Sequence, residues 1–261
     1  MAQSAAPDPL AAARQLYNLQ KYDDAIAVAT QARGVATLAE SAAVILARAY
    51  FERFRQSGVP ADLLAARNAL RSVTASRLSP RDRVEFLIAL GQAIYLDETD
   101  TMDDRFSAAA EQFEAALARA DLLDEPSRDR LFEWWAGALD RQAQQGTVAG
   151  GRRFYERIQA RAQHEVGRDD GAASATYWLA AASRGVGDLP RAIGAAAAGW
   201  VRAGSLGARG EALREDLDRL MKQAILPERA REITSEGDPR ETLAQLESQW
   251  TQHKNKWLVT P

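Results

Sequence analysis

The chain has 261 residues, no cysteine and two histidines, His164 and His253. Without cysteine there is no disulfide, thiol nucleophile or thiolate metal ligand. Neither histidine has a partner at metal-ligand spacing, and no Gly-x-Ser-x-Gly elbow presents a serine. The expectation is a non-catalytic chain with no metal and no cofactor. Gly146-Thr-Val-Ala-Gly150-Gly151-Arg152-Arg153 is the one glycine-rich stretch ahead of a helix. Its backbone N–H groups and two arginines could hold an anion, but it lacks the Lys-Ser/Thr of a phosphate loop. It is expected as the turn between two helices. Asp97, Glu98, Asp100, Asp103 and Asp104 form an acidic cluster without the central glycine of a calcium loop. Carboxylates favour helix N-termini, so Asp103 and Asp104 are expected where a helix begins.

Composition indicates the elements that must position any site. Alanine numbers 53, whereas valine and isoleucine together number 19. Sheets draw on β-branched residues, and alanine is the best helix former, so the expected class is all-α. Small side chains also let helices approach closely. Lys and Arg total 33 against 36 Asp and Glu, which gives no basic excess for nucleic acid. No apolar run approaches the ~18–20 residues of a membrane span. Ala2 to Pro9 is small, polar and proline-containing, like the stretch left after signal cleavage. The expectation is a periplasmic protein if a precursor carries a signal peptide, and a cytoplasmic one otherwise.

The helices repeat. Leu10 to Arg33 reads as two helices joined at Gln20–Lys21, and Tyr177 to Ala203 reads the same way, joined at Gly187-Asp188. In the first segment a small residue, Ala13, precedes Leu16, and then Tyr22, Ala25, Ile26, Ala29 and Ala32 follow. In the late segment Ala180 precedes Leu189, Ala192, Ile193, Ala196 and Gly199. Both segments resemble the tetratricopeptide repeat, a helix–turn–helix of ~34 residues with small residues where paired helices touch. Three stretched units lie between them. The small positions are Ala13, Ala47, Gly91, Ala136 and Ala180, which are 34, 44, 45 and 44 residues apart. The resemblance implies a right-handed α-solenoid of about five antiparallel helix pairs. The boundaries read as a disordered segment over 1–9, repeats over 10–204 and capping helices over 205–261. In the last region Leu213, Leu217, Leu220, Met221 and Ile225 mark one helix, Pro227 starts a second, and Leu243, Leu246, Trp250 and Trp257 mark a third.

In tetratricopeptide arrays the first helices line a concave groove. The resemblance therefore implies a protein-interaction module or assembly scaffold that binds a polypeptide there. Four residues after the small position come Tyr17, Phe51, Tyr95, Asp140 and Arg184. The neighbouring face adds Arg14, Arg48, Gln92, Asn18, Glu52 and Arg141. Such aromatic and charged side chains suit a mixed peptide; alternatively the rings pack on the adjacent pair. A second reading is a glycan or small-ligand protein that uses Trp134, Trp178 and Tyr177 as a stacking platform. Adjacent helical residues point about 100° apart, so Trp135 is expected inward and Trp134 outward. An enzyme with a helical-toroid site is the remaining alternative.

Overall fold

The structure is a computed structural model that describes residues 8–97, 104–234 and 237–258. Of these residues 84% are helical, and no strand occurs among them. Glu98, Asp100 and Asp103 of the acidic cluster and residues 1–7 of the expected disordered segment 1–9 lie outside the described residues, while Asp8 and Pro9 of that segment cap and open the first helix. The chain divides into two compact units, Met1–Ala138 and Leu139–Pro261.

The first unit holds α1 (Pro9–Asn18), α2 (Tyr22–Arg33), α3 (Ala39–Ser57), α4 (Pro60–Arg71), α5 (Pro80–Tyr95), α6 (Arg105–Leu117) and the first part of α7 (Glu125–Gln145). Helix starts follow local chemistry. Asp8 Oδ1 accepts from Leu10 N, and Ser79 Oγ accepts from Asp82 N, so side chains satisfy N–H groups that have no partner within the helix. Pro9, Pro60 and Pro80 open their helices, where a missing N–H costs nothing. The helices α1/α2, α3/α4 and α5/α6 pack as adjacent pairs. In addition, α1 lies against α3, and α3 against α5. Ala13, Ala47 and Gly91 are all buried, as the small positions require. At Gly91 the constraint is tightest: a Cβ there would stand 2.5 Å from Cε1 of Phe113 on α6.

The second unit holds the rest of α7, then α8 (Val148–Arg168), α9 (Ala173–Gly185), α10 (Leu189–Ala203), α11 (Ala208–Leu220), α12 (Leu226–Ile233) and α13 (Pro239–Leu258). Here α9 packs on both α8 and α10, α11 packs on α10 and α9, and α13 packs on α12. Ala180 is buried beside Ala192 and Ala196 in one apolar cluster with Trp200, Leu217 and Trp250.

Three expectations are corrected. The glycine-rich stretch is mostly helix rather than turn: Thr147 Oγ accepts from Gly150 N, and Gly150 to Arg153 lie in α8. Gly151 is needed because a Cβ would meet the Ala143 carbonyl at 2.8 Å. Second, α12 has Pro227 in its first turn as expected, but no break precedes it. It follows a π-turn, Met221–Ile225, that joins α11 to α12 without a break. A proline has no N–H for the carbonyl four residues back, and the wider turn removes that clash. Third, Trp257 is 40% exposed, so Trp250 rather than Trp257 anchors α13.

Substitution at Gly91 tests the first unit's packing. Gly91→Ala should lower stability, and Gly91→Leu should cost at least ~1–3 kcal/mol more by overpacking against the Phe113 ring. Urea midpoints for both variants check this; a leucine variant as stable as the wild type contradicts the close crossing.

Candidate functional site

The first-helix positions singled out by spacing in the first unit do converge, but largely inside the protein. Tyr17 and Arg48 are each 2% exposed, and Phe51, Glu52 and Gln92 are fully buried. Arg14, Asn18 and Tyr95 are half-buried. The rings of Tyr17 and Phe51 therefore do not form an open ladder. The alternative reading, packing between helices, describes these two. Tyr95 sits edge-on to Phe106 and Trp134, with ring centroids 5.2 and 5.3 Å away.

Glu52 is the hub. Its Oε1 accepts from Tyr17 Oη at 3.1 Å, Gln92 Nε2 at 3.3 Å and Trp134 Nε1 at 2.8 Å. Its Oε2 pairs with Arg55 at 3.1 Å. Helices α1, α3, α5 and α7 thus meet on one carboxylate. Trp134, expected to point outward, is buried because its indole N–H has this acceptor. Trp135 is buried as expected. With Trp134 enclosed, the stacking platform loses one of its three rings. Burial pushes the Tyr17 phenol up to about 12, against the pull of the Arg48 charge and with help from Glu52. The phenol therefore stays a donor to Glu52 at any physiological pH.

A second carboxylate hub lies one turn or more towards the start of α5. Glu85 receives Arg14 Nε at 3.0 Å and Arg81 Nε at 3.3 Å, with Arg48 Nη1 at 3.7 Å. Arg14 also donates to Asp82, which Ser41 and Ser79 reach through their hydroxyls. The start of α7 closes the set. Asn18 Nδ2 donates to Asp124 Oδ1 at 2.9 Å, Ser127 Oγ donates to Asn18 Oδ1 at 3.1 Å, and Arg81 Nη2 donates to Asp124 Oδ2 at 2.6 Å. Further along α7, Arg130 Nη1 donates to Tyr22 Oη at 2.8 Å, and Arg55 Nη1 donates to Glu133 Oε1 at 2.8 Å. Two of these ion pairs, Arg81–Asp124 and Arg55–Glu133, form a half-exposed rim. Charged groups hidden from water must be paired and hydrogen-bonded, and this network does that for most of them.

Sequence reasoning missed Arg55, Arg81, Asp82, Glu85, Asp124, Ser127, Arg130, Glu133 and the inward turn of Trp134. The available signals were the Arg81–Glu85 and Arg130–Trp134 spacings of four, each of which places two side chains on one helix face.

In the second unit, Asp140 Oδ1 accepts from Tyr155 Oη at 2.8 Å and Asp140 Oδ2 accepts from Gln144 Nε2 at 2.7 Å. Arg184 grips Glu228 through two N–H···O bonds of 2.9 and 2.5 Å. Burial, then Asp140, pushes the Tyr155 phenol up to about 12. Arg141 is solvent-exposed. Asp140 and Arg184 are thus each committed to a neighbouring side chain within this unit. Among the described residues no group of three or more His, Asp or Glu is arranged to hold a metal ion, and no helix is long and apolar enough to cross a membrane.

Two outcomes follow from the hub geometry. Glu52→Ala strands the donors of Tyr17, Gln92 and Trp134 and leaves Arg55 without one of its carboxylates, so it should cost about 3–5 kcal/mol in urea denaturation. A loss below about 1 kcal/mol contradicts the hub. Asp124 lies below the usual carboxylate range: burial opposes this, but Ser127 and Arg81 outweigh it. A depressed folded-state value gives stability that is complete above the unfolded-state value, near pH 4, and lost as pH falls through the folded one. Urea midpoints should therefore drop below about pH 4, and Asp124→Asn should flatten that drop. Compared with protein-family models, curated proteins and solved structures, the chain matches none, so the tetratricopeptide resemblance rests on its own repeat spacing.

Proposed function

We propose that the chain is a non-catalytic protein-interaction module or assembly scaffold, built as a right-handed tetratricopeptide-like α-solenoid. The observation that supports this reading is that side chains of successive first helices converge on shared carboxylates. Arg14 of α1 reaches Glu85 of α5, and Tyr17 of α1 and Gln92 of α5 both reach Glu52 of α3. That is the relation a stacked repeat produces, because each pair contributes the same face to the row.

The polypeptide partner contacts the rim rather than the buried rings. Arg55, Arg81, Asp124 and Glu133 present two arginines and two carboxylates that are half-exposed and paired with each other. Exposed pairs of this kind contribute little to stability, about 0–1 kcal/mol each, so a partner of mixed charge can exchange them at low cost. Arginine offers such a partner a bidentate fork for carboxylates.

The test is affinity capture from the native host with wild-type protein and an Arg55→Lys, Arg81→Lys variant, which keeps a positive charge facing the buried Glu52 and Glu85 but removes the bidentate fork. The variant should fold, with a melting temperature within a few degrees of wild type, and its affinity for the captured polypeptide should fall at least tenfold, about 1.4 kcal/mol. Equal capture by the two proteins contradicts a rim site.

A further inference from the structure

Helix α13 is attached to the second unit by far fewer groups than the helices beside it. Of its 20 residues only Trp250 is buried. The shorter α10, with 15 residues, buries Leu189, Ala192, Ala196, Gly199, Trp200 and Ala203. Leu243 and Leu246 of α13 are half-buried against the cluster of Trp200, Leu217 and Trp250. The apolar stripe ends at Trp250, because Trp257 and Leu258 are exposed. The helix also packs on α12, which itself buries only Leu226 and Ala230. A helix held by one buried ring and two half-buried leucines loses little apolar burial when it detaches.

The polar ties of α13 to the unit centre on one carboxylate. Asp218 Oδ1 on α11 accepts from Trp250 Nε1 at 2.8 Å and from Lys254 Nζ at 2.6 Å. Lys222, in the π-turn, pairs with Asp218 Oδ2 at 2.9 Å. Burial pushes the Asp218 carboxyl up, but these three donors outweigh it and hold the group below the usual carboxylate range. The Lys254 ammonium also lies 5.4 Å from the Trp200 ring centroid and 5.8 Å from that of Trp250. The two rings meet edge-on at 5.5 Å. His253 stacks on Trp250, and its Nε2 lies 3.2 Å from Ala197 O. All these groups of α13 fall within about one turn, from Trp250 to Lys254.

The other end of α13 supplies a hinge. Helix α12 continues α11 without a break, so it stays with the body of the unit. It ends at Ile233, and α13 begins at Pro239. Gly237, at φ +113°, lies between them, and glycine leaves such a turn free to change its dihedrals. One hydroxyl contact, from Thr234 Oγ1 to Thr242 Oγ1 at 3.0 Å, ties the end of α12 to the start of α13.

We propose that α13 is a strap that opens as a unit about the turn at Gly237, with the contact of Trp250 and Lys254 to Asp218 as its clasp. Opening uncovers the Trp200 ring and the apolar cluster behind it, while α9, α10 and α11 keep their packing. The strap is independent of the rim in the first unit and of its polypeptide partner.

Amide hydrogen exchange of the full chain, read from Leu246 to Lys254, tests the strap. These amides should exchange at least about tenfold faster than the slowest amides of α9, α10 and α11. Asp218→Asn keeps an acceptor for Trp250 but removes the charge that holds Lys254. It should speed the α13 amides by a further factor of about ten or more and leave those of α9 and α10 unchanged. Lys254→Gln removes the same ion pair from the α13 side and should act in the same way; it carries the test if Asp218→Asn fails to fold. Exchange of α13 as slow as the slowest α10 amides would mean that it leaves only with the whole unit, and would overturn the proposal. So would α13 exchange that neither variant changes, or an acceleration spread equally over α9 and α10.

Discussion

The carboxylate of Glu52 is fully enclosed by protein, and most of the first unit's inner architecture follows from keeping it charged there. A lone buried carboxylate is too costly to persist; it needs donors from several directions. Here they come from Tyr17 on α1, Arg55 on α3, Gln92 on α5 and Trp134 on α7. These four side chains lie on helices far apart in sequence, so one functional group fixes the relative rotation of all four helices. Apolar packing of alanines permits many rotations of similar energy; a multidentate polar hub permits few.

The same hub changes the meaning of the row of first-helix residues. Aromatic and charged side chains repeating at equivalent positions are what a peptide groove would display. They are also what a closed polar core would display, since both need convergence on one face. The deciding element is α7, whose Arg130 and Trp134 lie over Tyr17 and Glu52, and whose preceding turn ties Asp124 to Asn18 and Arg81. The inner positions are thereby enclosed, and the ion pairs left half-exposed are those of the rim. Under the proposed function, exchangeable rim ion pairs over a rigid buried network would combine adaptability outside with fixed geometry inside.

The register was readable from the sequence because it is local. Small residues at 13, 47, 91, 136 and 180 mark helix contacts, and the positions one, four and five places later share neighbouring faces. All five small positions are buried, and Arg14, Tyr17, Arg48, Glu52 and Gln92 belong to one network. Burial was not readable, because it depends on contacts across long stretches of chain. Asn18 meets Asp124 across 106 residues, and Arg130 meets Tyr22 across 108. No spacing rule connects such pairs. Trp134 illustrates the point: its angle relative to Trp135 was right, but the direction read as outward faces Glu52. The π-turn before Pro227 escaped notice for a different reason, since a proline after an apolar period reads equally as a new helix start or as a widened turn.

The central claim is that Glu52 and Trp134 bind α3 to α7 as one cooperative polar unit. A double-mutant cycle on Glu52→Gln and Trp134→Phe, read by urea denaturation, tests it most directly. Glu52→Gln keeps size and removes the charge; Trp134→Phe removes the indole donor with a smaller ring, a loss common to both arms of the cycle. A coupling energy of about 1 kcal/mol or more is the result this account predicts. Additivity to within ~0.3–0.5 kcal/mol would contradict it, because independent residues show no more coupling than that.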